Sequence, residues 1–249
     1  MVRKSISAVA AILVSVTLLW AANDPWKSKP YDQWDEKDIR RIFEDSPWSK
    51  VVQVASSSGA DSVAPLDNSS RTQSSRAGMG GQYPQTSAAP EPQIGQVSQA
   101  SQTPYIVRWA SSRIIREAAV RRLVLDGKLK QEGAAKEIAQ PVANYEVVVA
   151  GADMKPFDIA EPDNLKRGTY LYTRKTKEKI TPSEIQIIRS PDGASIQNVI
   201  FVFPKKSATG ESTIASDEKG ADFFTAPAGI KISTSFDFSK MMDSQGRDL

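Results

Sequence analysis

The chain has 249 residues, with 32 Lys and Arg against 29 Asp and Glu, and it contains no histidine and no cysteine. Disulfides, thiolate nucleophiles, iron–sulfur clusters, ordinary zinc sites and Ser-His-Asp triads are thereby excluded. A net charge of +3 is too small for a dedicated nucleic-acid binder.

Arg3 and Lys4 precede an apolar run from Ile6 to Ala22, and Asn23, Asp24 and Pro25 then open a polar sequence. This order of charge, apolar run and polar start predicts a signal peptide over residues 1–22 and an extracytoplasmic location, periplasmic or secreted. Cleavage after Ala22 or Ala21 sets bulky Trp20 or Leu19 where a small residue is preferred. The alternative is therefore an uncleaved single-pass anchor with Arg3 and Lys4 left in the cytoplasm.

Residues 23–54 read as an aromatic docking peptide carrying Trp26, Tyr31, Trp34, Phe43 and Trp48. Asp35 is placed to cap a helix from Glu36 to about Glu44, with Trp34 set to staple onto Ile39. Ile39, Ile42 and Phe43 share one face, and Pro47 stops the helix. So short a helix does not hold in water alone, so the face must dock. It can fold back over the sheet of its own chain, or bind a partner in trans through Trp34, Ile39, Phe43 and Trp48. Exposed tryptophans of this peptide would equally stack on sugar rings.

Residues 55–103 hold 11 Ser, 7 Gln, 5 Gly and 4 Pro. That composition buries too little apolar surface to offset chain entropy and predicts a disordered linker. Gly78, Gly80 and Gly81 fall inside it rather than between a strand and a helix, so no phosphate-binding loop is formed and no cofactor is expected.

The folded domain is expected over residues 104–249. Tyr105–Trp109 has strand character, and Ser111 or Ser112 caps a helix to about Leu125, closed by Gly127. Ile114, Ile115, Ala118 and Leu123 are its expected inward face, with Arg113, Glu117 and Arg121 outward. A weaker helix covers about Lys130–Ala139. Alternating patterns predict strands at Tyr145–Ala150, Thr169–Arg174, Glu184–Arg189, Ile196–Phe203, Ala221–Thr225 and Ile230–Phe238. Turns are expected at Ser190–Gly193 and Ala226–Gly229. The fold class is α+β, a mainly antiparallel sheet of about six strands with one or two flanking helices, and the alternative is a β-sandwich.

Without histidine or cysteine, catalysis needs a carboxylate pair. If Thr225 pairs with Ile230, register sets Glu218 opposite Asp237, which makes them a candidate pair. The acidic run Asp153, Asp158, Glu161 and Asp163 lacks regular ligand spacing and reads as loop decoration, so no metal is expected. The basic run Arg174, Lys175, Lys177 and Lys179 reads as a solvated turn, with attraction to an anionic surface polymer or lipid headgroups as the alternative.

The stretch Trp34–Lys50, W-D-E-K-D-I-R-R-I-F-E-D-S-P-W-S-K, together with Y-I-V-R-W-A-S-S-R-I-I-R-E-A-A-V-R-R from Tyr105 and F-V-F-P-K from Phe201, resembles a group of exported bacterial proteins of unassigned function. The resemblance implies an extracytoplasmic setting and carries no functional residue. The function expected is a non-enzymatic cell-envelope binding or assembly protein, with an envelope protein or polysaccharide as partner and no nucleic acid. The alternative is a carboxylate-dependent hydrolase acting on envelope polysaccharide.

Overall fold

The computed structural model describes residues 24–55 and 102–249. The expected signal segment and nearly all of the expected linker, with its glycines, lie outside the described residues. Among the described residues no helix is long and apolar enough to cross a membrane.

The chain enters through a single helical turn, α1 (Pro25–Ser28), a 3-10 turn at Tyr31–Gln33 and α2 (Glu36–Glu44). Asp35 caps α2 through a reciprocal box, its carboxylate accepting from the Asp38 amide at 2.8 Å while Asp38 accepts from the Asp35 amide at 3.2 Å. β1 (Ser49–Ala55) follows and lies beside β2 (Gln102–Trp109) in a sheet. The Trp109 amide donates to the Trp48 carbonyl at 2.8 Å. The start of β1 thus meets the end of β2, which makes the two strands antiparallel and brings Ala55 and Gln102 toward the same end.

Ser112 caps α3 (Arg113–Leu125) by accepting from the Ile115 amide at 3.2 Å. At its other end Gly127, with φ of +70°, donates to Val124 while Lys128 donates to Leu123, the paired bonds of a Schellman ending. α4 (Gln131–Ile138) packs beside α3, and Arg116 holds its end by donating to the carbonyls of Ile138 and Gln140.

β3 (Asn144–Gly151) is followed by two short helices, α5 (Lys155–Ile159) and α6 (Pro162–Gly168), where a plain acidic loop was expected. Buried Phe157 and Leu165 hold these turns against the core and leave their acids outward. The remaining strands are β4 (Tyr170–Thr173), β5 (Lys179–Ile180), β6 (Glu184–Arg189), β7 (Ile196–Pro204), β8 (Gly220–Thr225) and β9 (Ile232–Asp237), ending in the small hairpin β10 (Met242–Asp243) and β11 (Gly246–Arg247).

The fold is α+β, with antiparallel sheets ordered β1-β2-β3-β7-β6 and β5-β4-β8-β9. Alternation sends Val107, Trp109, Val147, Val149, Phe201 and Phe203 to one face of the first sheet, all fully buried. Phe223, Phe236 and Phe238 meet them from the second, as in Trp109–Phe236 at 5.2 Å and Phe201–Phe223 at 5.5 Å between ring centroids. The two faces therefore share one core, while α2 and α3 pack on each other.

Trp34, Ile39, Ile42 and Trp48 belong to that same core, and residues 24–54 form one compact unit with the stretch from Thr103 onward. The expected boundary between a docking peptide and a domain starting at residue 104 is thus absent from the packing. Residues 56–101 connect two neighbouring strands rather than two separate bodies. Replacing them with a four-residue turn is expected to leave the fold intact and to raise stability by up to about 2 kcal/mol through reduced loop-closure entropy. Urea unfolding of the shortened protein checks this, and loss of the cooperative transition would contradict it.

Candidate functional site

Of the residues expected to bind a partner, Trp34, Ile39 and Trp48 are 1%, 0% and 0% exposed. The Trp34 indole donates to the carbonyls of Pro25 and Lys29, and that of Trp48 to the Asp248 carbonyl at 2.9 Å. Phe43 is half-buried beneath the Arg108 guanidinium, 4.7 Å from its ring centroid, and Arg108 also donates to the Phe43 carbonyl. Burial pulls the pKa of Arg108 down against the opposing field of Glu44. These four side chains hold the N-terminal segment in place, and three of them offer no free surface.

The expected acid pair is not assembled. Thr225 pairs with Ile232, so Gly220 rather than Glu218 stands opposite Asp237. The extra length is absorbed in the link Ala226–Lys231, where Ala228 and Gly229 adopt φ of 45° and 86° in a 3-10 turn. Glu218 is buried and accepts from the amides of Lys175, Thr176, Lys219 and Gly220. Burial raises its carboxyl, but those donors outweigh it and leave the pKa below its usual value. Asp237 serves its own turn by accepting from the Ser239 amide and hydroxyl.

Among the described residues no group of three or more acids could hold a metal ion. In the acidic run Asp158 pairs with Arg189 at 2.5 Å and Asp153 accepts from the Lys155 amide, each a local structural role.

A further buried carboxylate, that of Glu117, lies elsewhere. A cleft of about 420 Å³ opens between the N-terminal segment, α3 and the β10–β11 hairpin, lined by Trp26, Tyr31, Arg113, Glu117, Asp243 and Ser244 among others. A second, of about 410 Å³, shares Tyr31, Arg113 and Glu117 and continues toward α4. Glu117 was expected on the outer face of α3, yet it is only 6% exposed, and Arg113 donates to its carboxylate at 2.7 Å. Leu123 shows the reverse departure, being 41% exposed. The α3 face is rotated toward the N-terminal segment because Arg121 donates to the Trp34 carbonyl at 2.9 Å and α2 packs alongside.

Burial raises the Glu117 pKa; Arg113 opposes this, and the fields of Asp248 and Asp243 add to it. Asp248 is also raised, by burial first, although it accepts from the Arg113 and Ile114 amides at 2.6 and 3.0 Å. Asp248 thereby caps α3 from a distant part of the chain, a favourable place for a carboxylate at a helix N-terminus. A desolvated, paired acid beside aromatic side chains in a cleft marks a candidate binding site. Trp26 and Tyr31 could be singled out as aromatic residues in the sequence, but no sequence signal identified Glu117 or Asp248, whose surroundings are made by tertiary contacts.

No family model, curated protein or solved structure matches this chain.

The Glu117 pKa, raised in the fold above its ordinary value of 4.5, sets a pH dependence. The folded state takes up the proton before the unfolded chain does, so this contribution is complete below the unfolded pKa and lost as pH rises through the folded one. The melting temperature of the native protein minus that of Glu117→Gln is expected to grow as pH falls from 7 toward 4.5. A difference independent of pH, in parallel thermal melts, would contradict the assignment.

Proposed function

We propose that the protein is an exported, non-enzymatic binding or assembly component of the bacterial cell envelope, engaging an envelope protein or polysaccharide through the Trp26–Tyr31–Glu117 cleft. The export part rests on Arg3, Lys4 and the apolar run to Ala22, with a retained anchor as the alternative. The observation that carries the binding part is the cleft, where the partly exposed rings of Trp26 and Tyr31 stand beside the Arg113–Glu117 ion pair. Rings of this kind supply apolar contact area at low entropic cost, and the ion pair supplies fixed donors and acceptors. Among the expected interaction residues, Trp34, Ile39 and Trp48 act indirectly in this reading, by holding the cleft wall.

The hydrolase reading draws on one observation, that Glu117 with its raised carboxyl and half-exposed Asp243 line the same cleft. Two carboxyl groups facing one cleft are what glycoside hydrolysis needs. The ion pair with Arg113 favours binding over proton donation, because the guanidinium already engages the Glu117 carboxyl group.

Tyr31→Ala combined with Asp243→Lys alters the cleft without touching a fully buried side chain. In capture from a solubilised envelope fraction, the binding reading expects the partners retained by the native protein to be lost, with the circular dichroism spectrum unchanged. Equal capture by the variant would overturn it. Release of reducing ends from purified cell wall that stops with Glu117→Gln would establish the hydrolase instead.

A further inference from the structure

The sheet β5-β4-β8-β9 has a second face that takes no part in the core. Alternation sends Leu171, Thr173, Ala221, Phe223, Ile232 and Phe236 inward, all buried, and leaves Tyr170, Tyr172, Asp222, Phe224, Ser233 and Ser235 on the outside, half-buried or exposed. Register places these in two rows: Lys179, Tyr172, Asp222 and Ser235 across the sheet in one, and Tyr170, Phe224 and Ser233 in the other. Tyr170 and Phe224 stack at 5.1 Å with an interplanar angle of 22°.

Two ammonium groups stand over this aromatic floor. Lys179 Nζ lies 4.3 Å from the Tyr170 centroid, and Lys177 Nζ lies 6.0 Å from that of Tyr172. Among the described residues neither lysine has an ion-pair partner, whereas Arg174 is paired with Asp222 at 3.0 Å and Lys175 is paired with Asp217. Asp222 is further occupied by the Ser235 hydroxyl at 2.6 Å, so the one carboxylate in the rows is already committed. The rings therefore fix two cations that form no ion pair among the described residues.

An independent observation concerns the backbone. Lys177 has φ of 60°, the left-handed region that glycine occupies without cost and lysine does not. A turn residue chosen for conformation alone would be glycine or asparagine. The side chain of this strained residue reaches over Tyr172.

We propose that this outer face binds an acidic, carboxylate-bearing polysaccharide, with Lys177 and Lys179 meeting its carboxylates and Tyr172, Ser233 and Ser235 meeting its sugar rings and hydroxyls. The site is independent of the Glu117 cleft and does not rest on the function proposed for it. The chemistry of the face selects this ligand over other anions. A membrane surface requires apolar side chains to insert, and the most exposed large aliphatic among the described residues, Ile159, lies on α5, outside these rows. A nucleic acid requires many cations along its phosphates, and among the described residues the aromatic rows hold two unpaired ones, Lys177 and Lys179. A polymer with carboxylates spaced along neutral hydroxyl-rich rings matches two unpaired ammonium groups on an aromatic and serine-lined surface.

The test is native affinity electrophoresis of the full protein in gels containing polygalacturonate, with neutral dextran, poly(U) and phosphatidylglycerol vesicles as parallel probes. The expected result is retardation by polygalacturonate alone, weakened by added salt, and roughly two- to fivefold weaker for each lysine removed in Lys177→Gln and Lys179→Gln. Lys177→Gly separates charge from turn geometry: it is expected to raise the melting temperature by relieving the backbone while weakening retardation as Lys177→Gln does. Absence of retardation, equal retardation by dextran, stronger binding to poly(U) or to the vesicles, or unchanged retardation in Lys177→Gly and Lys179→Gln would each overturn the proposal.

Discussion

The structure depends on one junction, where Trp48 meets Asp248. The Trp48 indole donates to the Asp248 carbonyl, while the Asp248 carboxylate accepts from the first amides of α3. A single residue thus closes a helix that would otherwise show free donors and fixes the N-terminal segment in the same step. Trp48 is fully buried and packs edge-on against Trp26 at 5.7 Å, while the Trp109 amide completes the link to β2. Truncating a buried aromatic of this size costs about 3–5 kcal/mol. A domain stable by about 5–15 kcal/mol has little margin to lose Trp34 and Trp48 together. A segment with so large a share of the core is part of the fold, and its cost of release argues against its use as a free arm.

That junction also creates the cleft. Holding Tyr31 and Trp26 against α3 removes Glu117 from water, and the Arg113 side chain, whose backbone amide donates to Asp248, supplies its counter-charge. An ion pair whose Arg113 side chain is 35% exposed contributes little net stability. The pair therefore stands out as a feature that stability alone does not require. The same physical logic separates it from Glu218, whose equally buried carboxylate is saturated by four backbone amides and closes a turn.

Much of this was legible in the sequence because it is local. The Asp35 cap, the Ser112 cap and the Gly127 ending of α3 follow from residues within a few positions of one another. The alternation from Ile232 to Phe238 marked the inward face of β9 correctly, and the apolar run Val199–Phe203 did become a strand flanked by β3 and β6. What failed was set at a distance. β1 is short and precedes a composition typical of linkers, so its Val52 and Val54 gave too brief a pattern to read as a strand. The register of β8 with β9 turned on two residues of turn geometry, and a slip of that size moves every opposed pair. Glu117 reads as an exposed helical acid until Tyr31 and the β10–β11 hairpin cover it. No local pattern encodes that covering.

The most direct test of the interlock is hydrogen exchange of the Trp48 indole N–H and the α2 amides, measured against the amides of β3 and β7. If the N-terminal segment is an integral part of the core, all of these exchange only through the same global opening and share one free energy of protection. If Trp48 and α2 exchange far faster than the sheet, the segment undocks while the rest stays folded, and the account of a single interlocked core is contradicted.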